Sequence, residues 1–142
     1  MIENKRPQVG VGVVVIRNNK VLLGKRKNAH GNHTYNFPGG HLEFGEEIET
    51  CAKREVLEET GLIITKTIVG PFTNDIFISE GKHYITIFVV CVSDQGEPKV
   101  LEPDKCEEWN WYEWCKLPQP LFIPIANLLK QSFNPFEFIK NC

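Results

Sequence analysis

Residues 48–60 combine helical spacing with acidic side chains at positions where a buried helix face requires apolar ones. The apolar stripe of this segment consists of Ile48, Cys51, Ala52 and Val56. Glu55 and Glu59 fall on the same stripe, and Glu58 lies one turn from Glu55. Anions crowded on a partly buried face are costly unless a cation compensates them, and hard divalent ions such as Mg²⁺ suit carboxylate ligands. The pattern therefore predicts a helix with a metal site. A solvated acidic helix that ends at Gly61 is the alternative, and it leaves the buried acids unexplained.

These acids belong to a longer motif that covers residues 40–62. Its fixed positions are Gly40, Glu46, Arg54, Glu55, Val56, Glu58, Glu59, Gly61 and Leu62. The spacing, G-x5-E-x7-R-E-U-x-E-E-x-G-U with U aliphatic, resembles the signature of the Nudix hydrolases at every fixed position. The resemblance implies an α/β fold, namely the Nudix α/β/α sandwich with a mixed β-sheet between helices. It also implies metal-dependent hydrolysis of a nucleotide substrate.

Composition limits the domain count and the kinds of partner. A chain of 142 residues with 42% hydrophobic and 24% charged residues is enough for one globular domain. We therefore expect residues 1–142 to form a single hydrolase domain. A formal net charge of −2 gives no basic footprint for polymeric nucleic acid, and no apolar run approaches the length that spans a membrane.

The cysteines indicate a reducing compartment. There are five, an odd number, and no two of them have C-x-x-C spacing. Cys51 in the motif and Cys91 in an apolar run have the character of small core residues. We therefore expect free thiols and a cytoplasmic location.

Alternation and turn residues predict the elements around the motif helix. Strands at 9–16 and 21–23 form a hairpin that turns at Asn18-Asn19, and a polar loop follows over 28–36. Phe37-Pro38-Gly39-Gly40 is expected to end regular structure, because Pro removes a donor and the glycines permit positive φ. The remaining predictions are strands at 63–69, 75–78, 84–92 and 109–111, a helical turn at 113–117 and a helix at 124–132. Strands on both sides of a helix favour a mixed sheet covered on both faces.

The metal ligands are predicted from helix geometry and from the family pattern. Glu55 and Glu59, one turn apart on the inner stripe, are the first choice for direct ligands, and Glu58 is next. In the family, the carbonyl oxygen of the first motif glycine, here Gly40, also binds the metal. The implied cofactor is Mg²⁺, with Mn²⁺ as a substitute. Such an ion neutralises phosphate charge and lowers the pKa of bound water.

Two further motif residues and the general base carry roles from the resemblance. Arg54 and Glu46 are expected to form an ion pair that fixes the loop against the helix. Contact between Arg54 and phosphate is the alternative, and the helical angle of about 100° between Arg54 and Glu55 favours the structural role. The base comes either from the motif helix or from a later acid, for which Glu107 and Glu108 are candidates. Each of these two is otherwise a solvated loop acid.

Candidate phosphate contacts lie on either side of the polar loop. Arg26 shares a strand face with Leu22, which makes it the best placed of three consecutive basic residues to meet phosphates. A solvated basic turn is the alternative. Gly39 beside Gly40 allows close approach because neither carries a side chain, and His41 adjoins this pair.

Candidate base contacts come from the second half of the chain. Thr86 lies in an apolar strand, and Leu121 and Phe122 precede the last predicted helix. These residues are candidates to line a base pocket, with an aromatic ring stacking on the nucleobase. Ordinary core packing is the alternative for each of them.

Over most of its length, the chain also resembles one branch of the family, the nucleotide triphosphate diphosphatases. The matching segments are residues 9–15, 21–27, 38–46, 83–88, 105–111, 121–122 and 135–136. That branch is dimeric and Mg²⁺-dependent, and it cleaves NTPs or dNTPs, in some cases oxidised or modified, to a monophosphate and pyrophosphate. The chain departs from the branch at Ile123-Pro124, which leaves the preferred base open.

Two other functions remain in view. One is a pyrophosphatase of ADP-ribose or another nucleoside-diphosphate-linked substrate, which Phe77 and Glu80 disfavour because the family patterns for such substrates have Pro or Tyr in this region. The other is a non-catalytic Nudix-fold nucleotide sensor. Retention of every motif glutamate argues against a sensor.

Overall fold

The computed structural model describes residues 5–27 and 31–140, and within them seven strands form one mixed sheet with helices packed on it. In chain order, the elements are β1 (Gln8–Arg17), β2 (Lys20–Arg26), β3 (Tyr35–Asn36), β4 (Gly39–His41), α1 (Ile48–Thr60), β5 (Thr65–Phe77), β6 (Lys82–Val92), β7 (Cys106–Glu113), a 3₁₀ turn (Trp114–Lys116), α2 (Ile123–Leu129) and α3 (Pro135–Lys140). The expected α/β class with a mixed sheet between helices is confirmed.

The strand order places β2, β1 and β6 in the interior of the sheet. The strands run β3-β2-β1-β6-β5, with β4 paired to β1 and β7 paired to β2. β1 and β6 are parallel, and the other pairs are antiparallel. The predicted hairpin between β1 and β2 is confirmed. It turns at Asn18 and Asn19, whose φ angles of 49° and 64° suit a two-residue hairpin loop.

The two faces of β1 build two separate cores. Val11, Val13 and Val15 pack with the buried face of α1, which includes Cys51 and Val56. The alternate residues face the other way, and that second core consists of Val14, Ile16, Val21, Leu23, Phe37, Phe88, Val90, Ile125 and Leu128. Both faces of the sheet are therefore covered, as the sequence predicts, and the cysteines at 51 and 91 are buried core residues.

Helix α1 occupies the predicted span, Ile48–Thr60. Gly61 ends it with φ 78°, and its N–H bonds to the carbonyl of Leu57 at 3.0 Å. The loop before β7 then packs on this end, because the N–H of Lys99 bonds to the carbonyl of Thr60 at 2.9 Å. These bonds satisfy carbonyl groups that have no partner inside the helix. They also bring the loop to the acidic side chains.

Two expectations for the strands are wrong. The predicted strands at 63–69 and 75–78 are one continuous strand, β5, whose pairing with β6 shifts register near Gly70 and Pro71. The proline is tolerated because β5 is an edge strand and the irregularity absorbs it. Gly39 and Gly40 do not end regular structure. They belong to β4, where Gly39 pairs with Gly12 of β1 and Gly40 pairs with Val11 of β1.

The C-terminal part and the polar loop also differ from expectation. The helix predicted over 124–132 ends at Leu129. The unpredicted helix α3 begins after Asn134, whose side-chain oxygen accepts the N–H of Phe136 at 2.9 Å as an N-cap. In the polar loop, Asn28 to His30 lie outside the described residues, and residues 35–36 form the short strand β3. No helix in the described part of the chain has the length and apolar character to cross a bilayer.

Candidate active site

An open cleft of about 740 Å³ lies where β1, β4 and β6 meet α1 and the loop before β7. Part of its wall, here called the charged lining, consists of Arg54, Glu55, Glu58, Glu59 and Glu102. Another part, the aromatic lining, consists of Phe77, Tyr84, Phe88 and Phe122. One cleft therefore offers anionic side chains and flat apolar surfaces together.

Glu59 is the most strongly perturbed acid of the charged lining. Its Oε2 accepts the backbone N–H of Gly39 at 3.2 Å. Burial raises its pKa to about 8, and the negative charges of Glu55 and Glu102 add to the rise, while the Gly39 bond and Arg26 oppose it. A proton or a bound cation is therefore needed here near neutral pH.

Glu55 lies one helical turn away and approaches the glycine strand closely. Its side chain is 13% exposed, and burial raises its pKa although Arg54 opposes the rise. A Cβ atom at Gly40 would lie 2.4 Å from the Glu55 carboxyl carbon, and one at Gly39 would lie 2.1 Å from the carbonyl oxygen of Val11. The glycines are therefore required for close packing of β4 on β1 and α1. They do not serve a positive φ, which was the expectation.

Arg54 connects the preceding loop to the acids. Its Nε lies 2.7 Å from one oxygen of Glu46, and its Nη2 lies 3.0 Å from the other, so the expected ion pair is present and bidentate. These bonds lower the pKa of Glu46 to about 2. The Nη1 atom also donates to Glu55 at 2.8 Å. Arg54 thus fixes the loop and partly neutralises a buried carboxylate.

Glu58, the ligand candidate ranked after Glu55 and Glu59, turns toward solvent. Its side chain is 51% exposed and lies 3.4 Å from Arg54. The buried residues of α1 centre on the Val56 side of Glu55, so a 100° step per residue turns Glu59 toward that side and Glu58 away from it. Glu58 still borders the cleft.

The charged lining fits a hydrated divalent ion rather than a complete protein cage. No three His, Cys, Asp or Glu side chains converge on one metal position within residues 5–27 and 31–140. Glu55 and Glu59 nevertheless offer hard carboxylate oxygens beside Gly40 and Gly39, and burial, with repulsion from neighbouring acids, raises both of their pKa values. Mg²⁺ usually keeps several waters and takes one or two carboxylates, so this donor set suits it.

Arg26 joins the charged lining to the aromatic lining. Its guanidinium carbon lies 4.1 Å from the ring centroid of Phe122, a cation–π contact. Burial lowers its pKa, and the negative charge of Glu59 opposes that effect. The bulge between Gly24 and Arg26 in the pairing of β2 with β7 accompanies this placement at the end of β2.

The structure brings Glu102, which the sequence analysis missed, to the site in place of Glu107. Glu102 lines the cleft, and its charge raises the pKa values of Glu55 and Glu59. Glu107 is exposed on β7, pairs with Lys25 at 3.8 Å and is absent from the lining, as is the exposed Glu108. The signal for Glu102 was the Pro-flanked loop before β7, although only the packing of that loop on α1 gives it a position.

The predicted base contacts divide between the cleft and the core. Thr86 and Phe122 line the cleft, whereas Leu121 packs with the second core and stays outside the lining. The ring of Phe122 lies 5.5 Å from that of Phe77, a contact between two aromatic residues of one wall. At the rim, His41 Nε2 lies 3.0 Å from the Tyr84 hydroxyl.

Comparisons with known proteins agree with this geometry. The family model described as NUDIX domain matches residues 6–133. An ADP-ribose pyrophosphatase from Methanocaldococcus jannaschii is 34% identical over 136 residues, which cover 95% of this chain and 72% of that protein. An oxidized purine nucleoside triphosphate hydrolase from Danio rerio is 34% identical over 134 residues, which cover 89% and 83% of the two chains. The crystal structure of a MutT NUDIX hydrolase from Burkholderia pseudomallei superposes with a TM-score of 0.81 at 30% identity, over 90% and 98% of the chains.

Proposed function

The chain belongs to the MutT-like Nudix family of nucleotide pyrophosphohydrolases, and on that premise we propose that it cleaves nucleoside triphosphates. The substrates are NTPs or dNTPs, including oxidised or modified ones, and the products are a nucleoside monophosphate and pyrophosphate. The observation that carries the proposal is one cleft in which the partly buried acids Glu55 and Glu59 lie beside Gly40 and Gly39 and share a wall with aromatic rings. Removal of damaged nucleotides from the nucleotide pool is the corresponding role.

We assign the divalent cofactor as Mg²⁺, for which Mn²⁺ can substitute. Glu55, Glu59 and the carbonyl of Gly40 would hold it, and the half-exposed Glu58 would approach from the solvent side. When bound, such an ion neutralises the phosphates and lowers the pKa of water. Before binding, the bond from Gly39 N–H and the contact with Arg54 keep the two carboxylates in place.

Other residues in and near the cleft position the substrate and accept the proton. Arg26 is a cation within the cleft, so it is assigned to the phosphates, with Gly39 and His41 bordering the same space. Glu102 is the acid from a later loop that can accept a proton from the attacking water, the role for which Glu107 was the sequence-based candidate. Arg54 and Glu46 keep α1 and its preceding loop in register.

The nucleobase is assigned to the aromatic lining. Phe77, Tyr84 and Phe122 present ring faces or edges next to Thr86, and such rings stack on bases of any identity. Because Arg26 lies over the ring of Phe122, a stacked base and a bound phosphate would share one neighbour. This arrangement couples recognition of the base to recognition of the phosphates.

A pyrophosphatase acting on ADP-ribose is the second candidate, because the relative from M. jannaschii carries that name at 34% identity. Product analysis separates the two functions. With Mg²⁺, hydrolysis of a panel of canonical and oxidised NTPs and dNTPs should release pyrophosphate, and ADP-ribose should be cleaved at least tenfold more slowly. Release of AMP and ribose 5-phosphate at the faster rate would replace the first function by the second.

We also propose a homodimer in the cytoplasm. The edge strand β5 exposes the apolar side chains Phe72 and Ile76, at 63% and 56%, and such an edge favours a second copy as its cover. The four cysteines that the structure describes are free thiols, which supports a reducing compartment. Light scattering of the wild type and of Phe72→Glu tests the dimer, and a monomeric wild type would contradict it.

A further inference from the structure

A fully buried acid, Asp75 on β5, lies outside the charged lining and accepts three side-chain hydrogen bonds. The residue is 0% exposed. Its Oδ2 accepts the hydroxyls of Thr73 at 2.9 Å and Thr86 at 2.6 Å, and its Oδ1 accepts the amide N–H of Asn127 at 2.9 Å. All three donors are neutral, and they come from β5, β6 and α2. Two neighbouring strands and the helix that packs on them therefore hold the carboxylate in place.

One of these donors also borders the cleft. Thr86 is 8% exposed and lines the cleft beside Gly10. A Cβ atom at Gly10 would lie 3.8 Å from Thr86 Oγ1 and 3.9 Å from the carbonyl oxygen of Gly40. The glycine leaves that position open, so Thr86 Oγ1 and Gly40 O flank the same small space. A substrate group that enters this space meets the threonine oxygen.

We propose that Asp75 fixes Thr86 as a hydrogen-bond acceptor toward the nucleobase, so that the cleft selects a base edge carrying an N–H donor. An ionised carboxylate only accepts hydrogen bonds, and a threonine hydroxyl has one proton. Because that proton is directed to Asp75, only lone pairs of Thr86 Oγ1 remain for the cleft. The inference rests on the proposed function, since it places a base beside the aromatic lining.

The neighbours of Asp75 make this polarity robust. The amide nitrogen of Asn127 can only donate, so it holds Oδ1 and leaves Oδ2 to the two threonines. Thr73 and Thr86 are direct partners across β5 and β6, which brings both hydroxyls to the same oxygen. Thr73 is outside the lining of the cleft, whereas Thr86 is part of it. The pair therefore offers a matched comparison.

The test uses nucleotide pairs that differ in one donor group of the base, an amino group or a ring N–H. The pairs are ATP with purine riboside triphosphate, GTP with ITP, and UTP with 3-methyl-UTP. Ratios of kcat/KM within each pair are measured with Mg²⁺, and ratios of Kd for the corresponding monophosphates are measured by titration calorimetry. In the wild type, we expect the donor-bearing member to be favoured by about tenfold in at least one pair, the effect of one lost hydrogen bond with a partner left unsatisfied.

Three variants separate the role of polarity from the role of packing. In Thr86→Val, the preference for the donor-bearing nucleotide should fall. The ratio of kcat/KM within a pair should then lie within about twofold of the ratio that the difference in base size alone produces. Asp75→Asn should reverse or abolish the preference, because an amide nitrogen at the Oδ2 position donates to Thr86 and turns the hydroxyl proton toward the cleft. Thr73→Val removes an equal hydroxyl from Asp75 and should retain the wild-type ratio. Circular dichroism establishes that each variant is folded.

Several results would overturn the inference. One is a wild type that discriminates none of the pairs in either measurement. Another is retention of the ratio in Thr86→Val, or an equal loss in Thr73→Val. If Asp75→Asn does not fold, the two threonine variants decide. Absence of hydrolysis together with a ratio of Kd values that depends on Thr86 would contradict the proposed function and leave the binding inference supported.

Discussion

Two acids in the described part of the chain, the partly exposed Glu59 in the cleft and the fully buried Asp75, have opposite surroundings. Glu59 accepts one backbone N–H at 3.2 Å and lies near Glu55 and Glu102, and burial with that repulsion raises its pKa to about 8. Asp75 accepts three side-chain hydrogen bonds between 2.6 and 2.9 Å. Burial alone therefore does not identify a catalytic acid. The two acids differ in the number of hydrogen-bond donors that they have, and an acid with few donors retains affinity for a cation.

The local structure explains the difference. Glu59 and Glu55 lie on a helix, where side chains four residues apart share a face and no backbone donor points sideways. Asp75 lies on a strand, where residues of the paired strand and of a helix packed above the sheet can all reach it. The helix thus concentrates charge of one sign, whereas the strand supplies partners for a single charge. The cation-binding role proposed for Glu59 and the hydrogen-bonded state of Asp75 agree with these two environments.

The largest effect is expected from Glu59→Gln. The substitution keeps the shape and the bond from Gly39 but removes the charge that holds the cation. Several kcal/mol of transition-state stabilisation depend on that charge, so kcat/KM should fall by about 10³-fold. The thermal midpoint without metal should stay equal or rise, because repulsion from Glu55 is relieved. Pyrophosphate release and calorimetry measure the two quantities.

Glu49→Gln is the control for that variant. Glu49 is on the same helix but is exposed and accepts a bond from Thr67 at 2.5 Å, which a glutamine oxygen can also accept. Its activity should match the wild type within twofold. Wild-type activity of Glu59→Gln would remove the basis for contrasting the two acids.

Asp75→Ala should have the opposite pattern, a loss of stability that exceeds the loss of activity. Three buried donors would lose their acceptor, and each such donor costs up to a few kcal/mol, partly relieved by water or by a new partner. We expect the free energy of unfolding to fall by about 2–3 kcal/mol in urea titrations. Hydrolysis at low temperature, where the variant is folded, should stay within tenfold of the wild type. A variant as stable as the wild type would show that the three bonds contribute little.

The free energy of unfolding without metal should depend on pH through Glu59. The pKa of Glu59 is about 8 in the folded protein, against an ordinary value of 4.5. Between those values, the unfolded chain binds fewer protons at this residue than the folded protein does. The stabilisation that protonated Glu59 contributes to the folded protein is therefore fully present below pH 4.5 and is lost as the pH rises through 8.

Without metal, the free energy of unfolding should decrease with pH in that window by up to about 1.4 kcal/mol per pH unit. Mg²⁺ should stabilise the protein more at pH 8 than at pH 6, because it replaces the proton. Urea titrations with EDTA or with Mg²⁺ at pH 6, 7 and 8 measure both trends. Glu59→Gln should flatten both trends.

Local patterns in the sequence were enough for α1, the first hairpin and the motif acids. The spacing of Cys51 and Val56 sets the buried face of α1, and Gly61 sets its end, so these features depend on neighbours in the chain. The continuity of β5 was not predictable in the same way, because pairing with β6 overrides the signal of Gly70-Pro71. Strand β4 likewise exists because β1 supplies partners for two glycines.

The parts of the site that depend on distant contacts were out of reach. Glu102 enters the cleft because the loop before β7 bonds to the end of α1, a contact between residues far apart in the chain. Asp75 was assigned only to a strand, since its partners come from β6 and α2. Helical spacing alone does not say how far Glu58 turns from the core, because the centre of the buried face on the Val56 side of Glu55 depends on packing with the sheet.

The smallest effect is expected at Glu107, and it gains meaning from comparison with Glu102. The charge of Glu102 acts on Glu55 and Glu59, so Glu102→Gln should lower kcat by about 100-fold, the lower end of the range for a general base. Glu107 contacts only the outer side of the site through Lys25 at 3.8 Å, an exposed pair of little energetic weight. Glu107→Gln should therefore change kcat/KM by less than twofold, in steady-state assays at saturating Mg²⁺. If Glu107→Gln loses more activity than Glu102→Gln, the proton acceptor lies on β7. The raised pKa of Glu59 then has no functional connection to the loop that packs on α1.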